Sequence, residues 1–141
     1  MAAKQVVLIT GANTGIGYEV VKSLGKSSTA YEILVGSRKV ENADTAIATL
    51  QKENPDSKSS LSTLQIDVSS DDSIHKALEQ VTQKFGKIDV LINNAGAGFD
   101  GEIQAGRMSL RDAFNASWDV NVSGAHVLVS TATEITTTHS C

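Results

Sequence analysis

The 141-residue chain has 40% hydrophobic residues and a net charge of −4, which fits one soluble globular domain rather than several. Its mild acidity without a basic cluster argues against nucleic acid and membrane surfaces as partners, and no apolar run approaches the roughly 18 residues of a membrane span. The single cysteine, Cys141, excludes a disulfide framework, and His75, His126 and His139 lack metal-ligand spacing, so no metal is expected.

The first predicted element is a strand, Gln5–Thr10. Its apolar run ends in a glycine loop, not in a small-residue cleavage site, so it reads as a strand and not as a signal peptide. A cytoplasmic location is the default expectation. A helix from Gly15 to about Ser28 follows, with Ile16, Val20, Val21 and Leu24 at helical spacing. Strand Glu32–Gly36 leads to a helix over Glu41–Asn54, which Pro55 ends because the residue before a proline leaves the helical region. Strand Leu61–Ile66 leads to a helix over Ser70–Phe85. Ser69 or Ser70 caps it, Asp71 and Asp72 favour its dipole, and Gly86 stops it. A fourth strand spans Ile88–Asn93, and a long helix begins near Asp112. Strands alternating with helices predict right-handed crossovers and a doubly wound parallel sheet of the α/β class.

The turn between the first strand and helix, TGANTGIG, holds Gly11, Gly15 and Gly17. Glycine serves where backbone must approach a ligand closely or take a positive φ. Bare N–H groups at a helix N-terminus attract phosphate through unpaired donors and the positive dipole end. The loop therefore reads as a site for a dinucleotide pyrophosphate. A second motif ends the fourth strand in Asn93-Asn94-Ala95-Gly96, where small residues let a ligand lie against the backbone. A third, Trp118-Asp119-Val120-Asn121-Val122, sits in the long helix.

These three motifs, in this order, resemble the short-chain dehydrogenase/reductases, with a helix pattern nearest to carbonyl-reductase-like members, over residues 4 to about 129. The resemblance implies a Rossmann-type sheet, of which these residues supply strands in the order 3-2-1-4, so that the sheet is C-terminally truncated. It implies that Gly11, Asn13, Gly15, Ile16 and Gly17 wrap the cofactor's ribose and pyrophosphate. Asp67, before Val68, would face the adenine, the alternative being a plain turn residue. Asn94, Ala95 and Gly96 would line the cofactor, with Asn93 or Asn94 also tying the sheet. Asn121 would support a water in the proton relay, and is the one catalytic residue carried over; the alternative is a kink in its helix.

Cofactor choice has a physical basis in the second strand. A plain ribose usually meets a carboxylate about 20 residues past the glycine loop. Here the strand ends Gly36-Ser37-Arg38, and a guanidinium makes charge-assisted forked bonds to a 2′-phosphate, helped by Ser37 and Lys39. NADP(H) is therefore expected over NAD(H), unless Arg38 is only a solvated surface arginine.

The family's chemistry needs a serine and a tyrosine, with a lysine four residues beyond the tyrosine to lower its pKa. The serine follows a fifth strand, which is not expected here. Tyr18 and Lys22 match the spacing, yet belong to the helix that carries the phosphate loop. The last residues, from Ser130, hold five threonines (Thr131, Thr133, Thr136, Thr137 and Thr138), which favour helix poorly. The expected organisation is thus an incomplete dinucleotide-binding domain over 1–129 and a divergent polar tail over 130–141. The fourth strand would be a long apolar edge. The functional expectation is an NADP(H)-binding carbonyl or alcohol oxidoreductase fragment without activity of its own. The alternative is a non-catalytic cofactor-binding or interaction module, with the long C-terminal helix as a candidate surface for oligomer formation.

Overall fold

The computed structural model describes residues 3–138. Four parallel strands, β1 (Gln5–Ile9), β2 (Tyr31–Ser37), β3 (Ser60–Gln65) and β4 (Val90–Ile92), form one sheet in the order β3-β2-β1-β4. This is the Rossmann-like order expected. The chain starts in the middle of the sheet, winds outward through β2 and β3, then crosses back to the other side of β1. The gap between the two directions of winding opens at the carboxyl ends of β1 and β4, where open α/β sheets take ligands.

Burial explains why an unbroken apolar run forms β1. Val6, Val7, Leu8 and Ile9 are 0–4% exposed, because both faces of this strand are covered. Pairing of Val7 with Val90 and of Ile9 with Ile92 fixes the register with β4. Val7, Ile9, Ile33 and Val35 pack under α1 (Gly15–Gly25) and α2 (Val40–Glu53), with Val21, Ala43 and Leu50 among the buried residues. Val6, Leu8, Leu34 and Leu64 face the opposite side, against Ile74, Leu78 and Val81 of α3 (Asp71–Phe85) and Leu128.

Helix α3 forms as expected. Ser70 accepts a bond from Ser73 N, Asp71 and Asp72 sit in the first turn, and Gly86 closes it at φ 76°. Helix α1 stops at Gly25, earlier than its apolar pattern predicts, because Asn54 Nδ2 donates to Gly25 O at 2.8 Å and ends the helix there. Strand β4 is also shorter than Ile88–Asn93. Beyond Ile92 the ladder gives way to a side chain, since Thr10 Oγ1 accepts from Asn94 N at 3.1 Å and Ala95 N at 3.0 Å. The long apolar edge expected there is thus a three-residue strand.

After β4 the chain makes α4 (Asp100–Gln104), a short helix not anticipated from the sequence, then α5 (Leu110–Trp118), capped by Ser109. The long helix begins at Leu110 and is not continuous α-helix: Asp119–Gly124 is a π-helical segment, followed by α6 (Ala125–Thr138). Helix α6 passes through residue 130 without a break, although threonines were expected to oppose it. Thr131 and Thr133 turn their hydroxyls to the carbonyls of Val127 and Val129, and packing of the fully buried Leu128 against α3 holds the helix despite their low propensity. His139 and Cys141 lie outside the described residues. Among those described, no helix is long and apolar enough to cross a membrane, and no cluster of side chains suits a metal.

Candidate functional site

A cleft of about 520 Å³ opens at the carboxyl ends of β1, β2, β3 and β4. Of the residues singled out from sequence, Gly11, Asn13, Ile16, Ser37, Arg38, Asp67, Val68, Asn94, Ala95 and Gly96 all line it. The glycine loop forms one wall. Gly11 takes φ +62° and stands so close to the opposite wall that a Cβ would lie 3.0 Å from Ala95 Cα. Gly15 takes φ +58° at the start of α1, with open space where its side chain would be. Gly17 does not face the cleft, but it lets α1 sit against the β4 loop: a Cβ would lie 2.5 Å from both Asn94 Nδ2 and Gly11 O. Thr14 caps α1 without a side-chain bond, so the N–H groups of the first turn have no side-chain cap. Ile16 is 77% exposed on that turn.

The second wall is tied to the first by one amide. Asn94 Nδ2 donates to Thr10 O and Gly11 O, each at 3.1 Å, so Asn94 and not Asn93 joins the strand ends. The Thr10 hydroxyl completes the joint through its bonds from Asn94 N and Ala95 N. Farther along this wall, Asn121 lies outside the cleft and acts on its lining. Its Oδ1 accepts from Ala97 N at 2.8 Å and its Nδ2 donates to Ala97 O at 2.8 Å. Both polar atoms of the side chain therefore engage one peptide, which holds the Gly96–Ala97 backbone. In this structure the Asn121 side chain clamps a loop, and it does so from a π-helical segment, the kink that was the alternative reading. Gly124 permits the segment to come so near, since a Cβ there would overlap the Val68 carbonyl.

The far wall carries charge. Arg38 is exposed at the mouth, beside Lys39 and Asn42, and among the described residues it has no ion-pair partner. Ser37 is 4% exposed and its Oγ accepts from Lys39 N at 3.3 Å, so it shapes the turn that presents the two cations. Asp67 faces them from the end of β3. Its Oδ1 accepts from Ser69 N and Ser69 Oγ, which fixes the turn before α3. Asp67 thus lines the cleft and serves as a turn residue together.

Tyr18 and Lys22 point elsewhere. Lys22 Nζ forms an ion pair with Glu53 at 2.9 Å, at a second cleft by the amino ends of β2 and β3. Glu53 holds the Lys22 ammonium above its usual range, chiefly by a hydrogen bond, and Lys22 in turn lowers the Glu53 carboxyl. Burial, then the Glu53 charge, raises Tyr18 above the ordinary phenol value. Lys22 is committed to Glu53, and neither it nor Tyr18 lines the cofactor-sized cleft.

Sequence reasoning missed Thr14, Asn42, Ser69 and Val120 in the lining, and the roles of Thr10 and Gly124. Thr14 and Val120 lie inside motifs already noticed. Gly124 carried a signal of its own, a lone glycine within a helical run, which marks close packing.

Known proteins share this arrangement. A family model described as short chain dehydrogenase matches residues 5–139. Over 129 residues the chain is 45% identical to the short-chain dehydrogenase/reductase eupG of Phoma sp, covering 91% of this chain and 46% of that protein. Among solved structures, it is similar to an actinorhodin polyketide ketoreductase variant with NADPH, at 27% identity and TM-score 0.75, covering 96% of this chain and 49% of that one. A metagenomic short-chain oxidoreductase in complex with NADP is similar at 26% identity and TM-score 0.74, with 93% and 56% covered. The chain spans about half the length of the curated relatives it matches. With its strand order, glycine loop and Asn94 tie, the chain belongs to the short-chain dehydrogenase/reductase family.

Proposed function

We propose that the cleft binds a nicotinamide dinucleotide, with NADP(H) preferred over NAD(H). The observation that carries this reading is the cleft at the carboxyl ends of the strands, closed at its base where Gly11 meets Ala95 and open at Gly15 on the first turn of α1. No atom lies within 4 Å of where a Gly15 Cβ would stand, so the loop leaves bare backbone open to a group that lies flat on it. Gly11, Asn13, Gly15 and Ile16 form the pyrophosphate and ribose wall in this reading, and Gly17 lets α1 close in behind it. Asp67 and Val68 border the adenine, and Asn94, Ala95 and Gly96 border the nicotinamide side. Arg38, without an ion-pair partner among the described residues, supplies a forked donor set for a 2′-phosphate, and Ser37 holds the turn that presents it. The similarity to structures solved with NADPH and NADP points the same way.

When bound, such a cofactor supplies hydride exchange with a carbonyl or alcohol carbon. The chain's own residues bind and orient it. Asn121 acts one step back, by fixing the Ala97 peptide. Residues 1–129 are read as an incomplete dinucleotide-binding domain and 130–141 as its polar extension, in the cytoplasm. Tyr18 and Tyr31 are the two tyrosines of the sequence, and neither lines the cleft. We therefore infer that these 141 residues by themselves bind cofactor without turnover, and that a small carbonyl or alcohol is the substrate class of the completed enzyme. Titration of the purified chain with NADPH, followed by nicotinamide fluorescence, tests binding. An assay of NADPH oxidation with a broad carbonyl panel tests turnover. Saturable binding with no substrate-dependent oxidation is expected, and oxidation above the buffer rate contradicts the inactive reading. Failure to bind contradicts the cofactor reading itself.

A further inference from the structure

The second cleft, of about 510 Å³, opens at the amino ends of β2 and β3, by the last turns of α1 and α2. It lies at the opposite end of the strands from the cofactor-sized cleft, and the two share no lining residue. Its volume falls within the roughly 300–1,000 Å³ of small-molecule sites. Val21 and Leu50, 1% and 5% exposed, form an apolar floor with the half-buried Leu61. Gly25 leaves room in the wall: a Cβ there would meet only Ser57 Oγ at 3.6 Å and Asn54 Nδ2 at 3.7 Å.

The start of β3 brings hydroxyls to this floor. Ser57 Oγ accepts from Ser59 N at 3.3 Å, Ser59 Oγ from Tyr31 N at 3.0 Å, and Ser60 Oγ from Lys4 Nζ at 2.7 Å. Each oxygen thus serves as an acceptor, and among the described residues none of the three hydroxyl hydrogens has an acceptor of its own. A hydroxyl also donates, so three O–H donors are left for an outside oxygen. Charge has the same sense. Lys4 Nζ bonds to a neutral hydroxyl and has no carboxylate partner among the described residues. Lys22 pairs with Glu53, and Lys26 also acts on that carboxylate, so the ammonium groups at this end outnumber it. Asp56 and Lys58, both exposed in the turn before β3, offset each other.

We propose that this cleft is a second ligand site, for a small amphipathic carboxylate whose short apolar body lies on Val21, Leu50 and Leu61. Its head accepts from the serine hydroxyls and from Lys4. A carboxylate offers about four acceptor positions on two oxygens, and three hydroxyls with one ammonium are four donors to match. Bonds to an ionised acceptor are the stronger kind, so the head fixes the orientation of the body. The inference is independent of the cofactor reading, because the two clefts have separate linings.

Octanoate is the probe, with octanol as the control lacking charge and inorganic phosphate as the control lacking a body. Titration of the 141-residue chain, followed by backbone amide NMR shifts, should show saturable octanoate binding with a Kd of roughly 1 mM or tighter. The shifts should centre on Gly25 and on residues 57–61. Emission from Trp118, the only tryptophan and 64% exposed elsewhere, should stay constant. Octanol and phosphate should each bind at least about tenfold more weakly. Gly25→Leu puts a side chain into the cleft and should weaken octanoate at least about tenfold. Its circular dichroism should match the parent, since the new Cβ meets only ordinary contacts. Lys4→Gln, at an exposed residue, should weaken octanoate about fivefold and leave octanol unchanged. That contrast holds the test even where Gly25→Leu disturbs the fold. No saturation by about 10 mM octanoate, or octanol binding as tightly as octanoate, overturns the proposal. So do shifts centred on Trp118, and equal weakening of octanoate and octanol by Lys4→Gln.

Discussion

The two sides of the central strand are built on different physics. Toward β2, side chains are almost wholly inside: Ile33, Leu34 and Val35 are 0–1% exposed, and β2 has a strand on each edge and helices on each face. Toward β4, Val90 is 39% exposed and Leu91 and Ile92 are half-buried, because β4 has a strand on one edge only. The loop after β4 is held instead by named polar bonds, those of Thr10, Asn94 and Asn121. The lesson is that the glycine loop rests on a packed platform, while the opposite wall of the cleft hangs on a handful of amides.

Volume changes should therefore hurt the first side, and loss of single polar groups the second. The largest effect is expected from Gly17→Val, which drives a branched side chain into the Gly11 carbonyl and the Asn94 amide. Overpacking of this kind costs about 3 kcal/mol, read as a lower urea midpoint and a loss of cofactor binding. Asn94→Ala comes next. It strands the Thr10 and Gly11 carbonyls and should cost about 2 kcal/mol, with urea unfolding as the check; a loss below that of an ordinary surface substitution would refute the tie. Asn121→Ala frees the Ala97 peptide, for about 1–2 kcal/mol, and hydrogen exchange at Ala97 should speed up while exchange in β2 stays slow. Equal acceleration in both would erase the contrast between the two sides.

The smallest effect is an acid one. Asp89 ties the start of β4 to β1, since its Oδ2 accepts from Val6 N at 2.7 Å. Lys87, and then this backbone bond, hold its carboxyl below the ordinary value of 3.8. A depressed carboxylate contributes stability that is present above its unfolded pKa and is lost as pH falls through its folded pKa. Stability should accordingly decline below about pH 3.8, with exchange rising first around β4, and Asp89→Asn should flatten that limb.

The contrast also explains what was legible in the sequence. Buried strands such as Val6–Ile9 and the cap-and-stop signals of α3 are local patterns, and they placed the elements, whereas the sheet order and most of the cleft residues followed from the resemblance of the three motifs to a known family. The extent of β4 was not local. It is decided by the Thr10 hydroxyl, 84 residues away in sequence from Asn94. The π-helical segment is likewise set by tertiary contacts, through Gly124 against Val68 and Asn121 against Ala97. Helix α4 is five residues long and has no period to read. The threonines of α6 misled because their propensity was weighed without the tertiary packing that buries Leu128 against α3.

The central claim is the proposal that the packed wall and the exposed guanidinium of Arg38 suit this cleft to NADP(H). The most direct measurement is a pair of titrations, NADPH and NADH, on the purified chain and on its Arg38→Ser variant. The account predicts that NADPH binds at least about tenfold more tightly than NADH and that the variant loses most of that difference. Equal or tighter binding of NADH by the parent chain would contradict it.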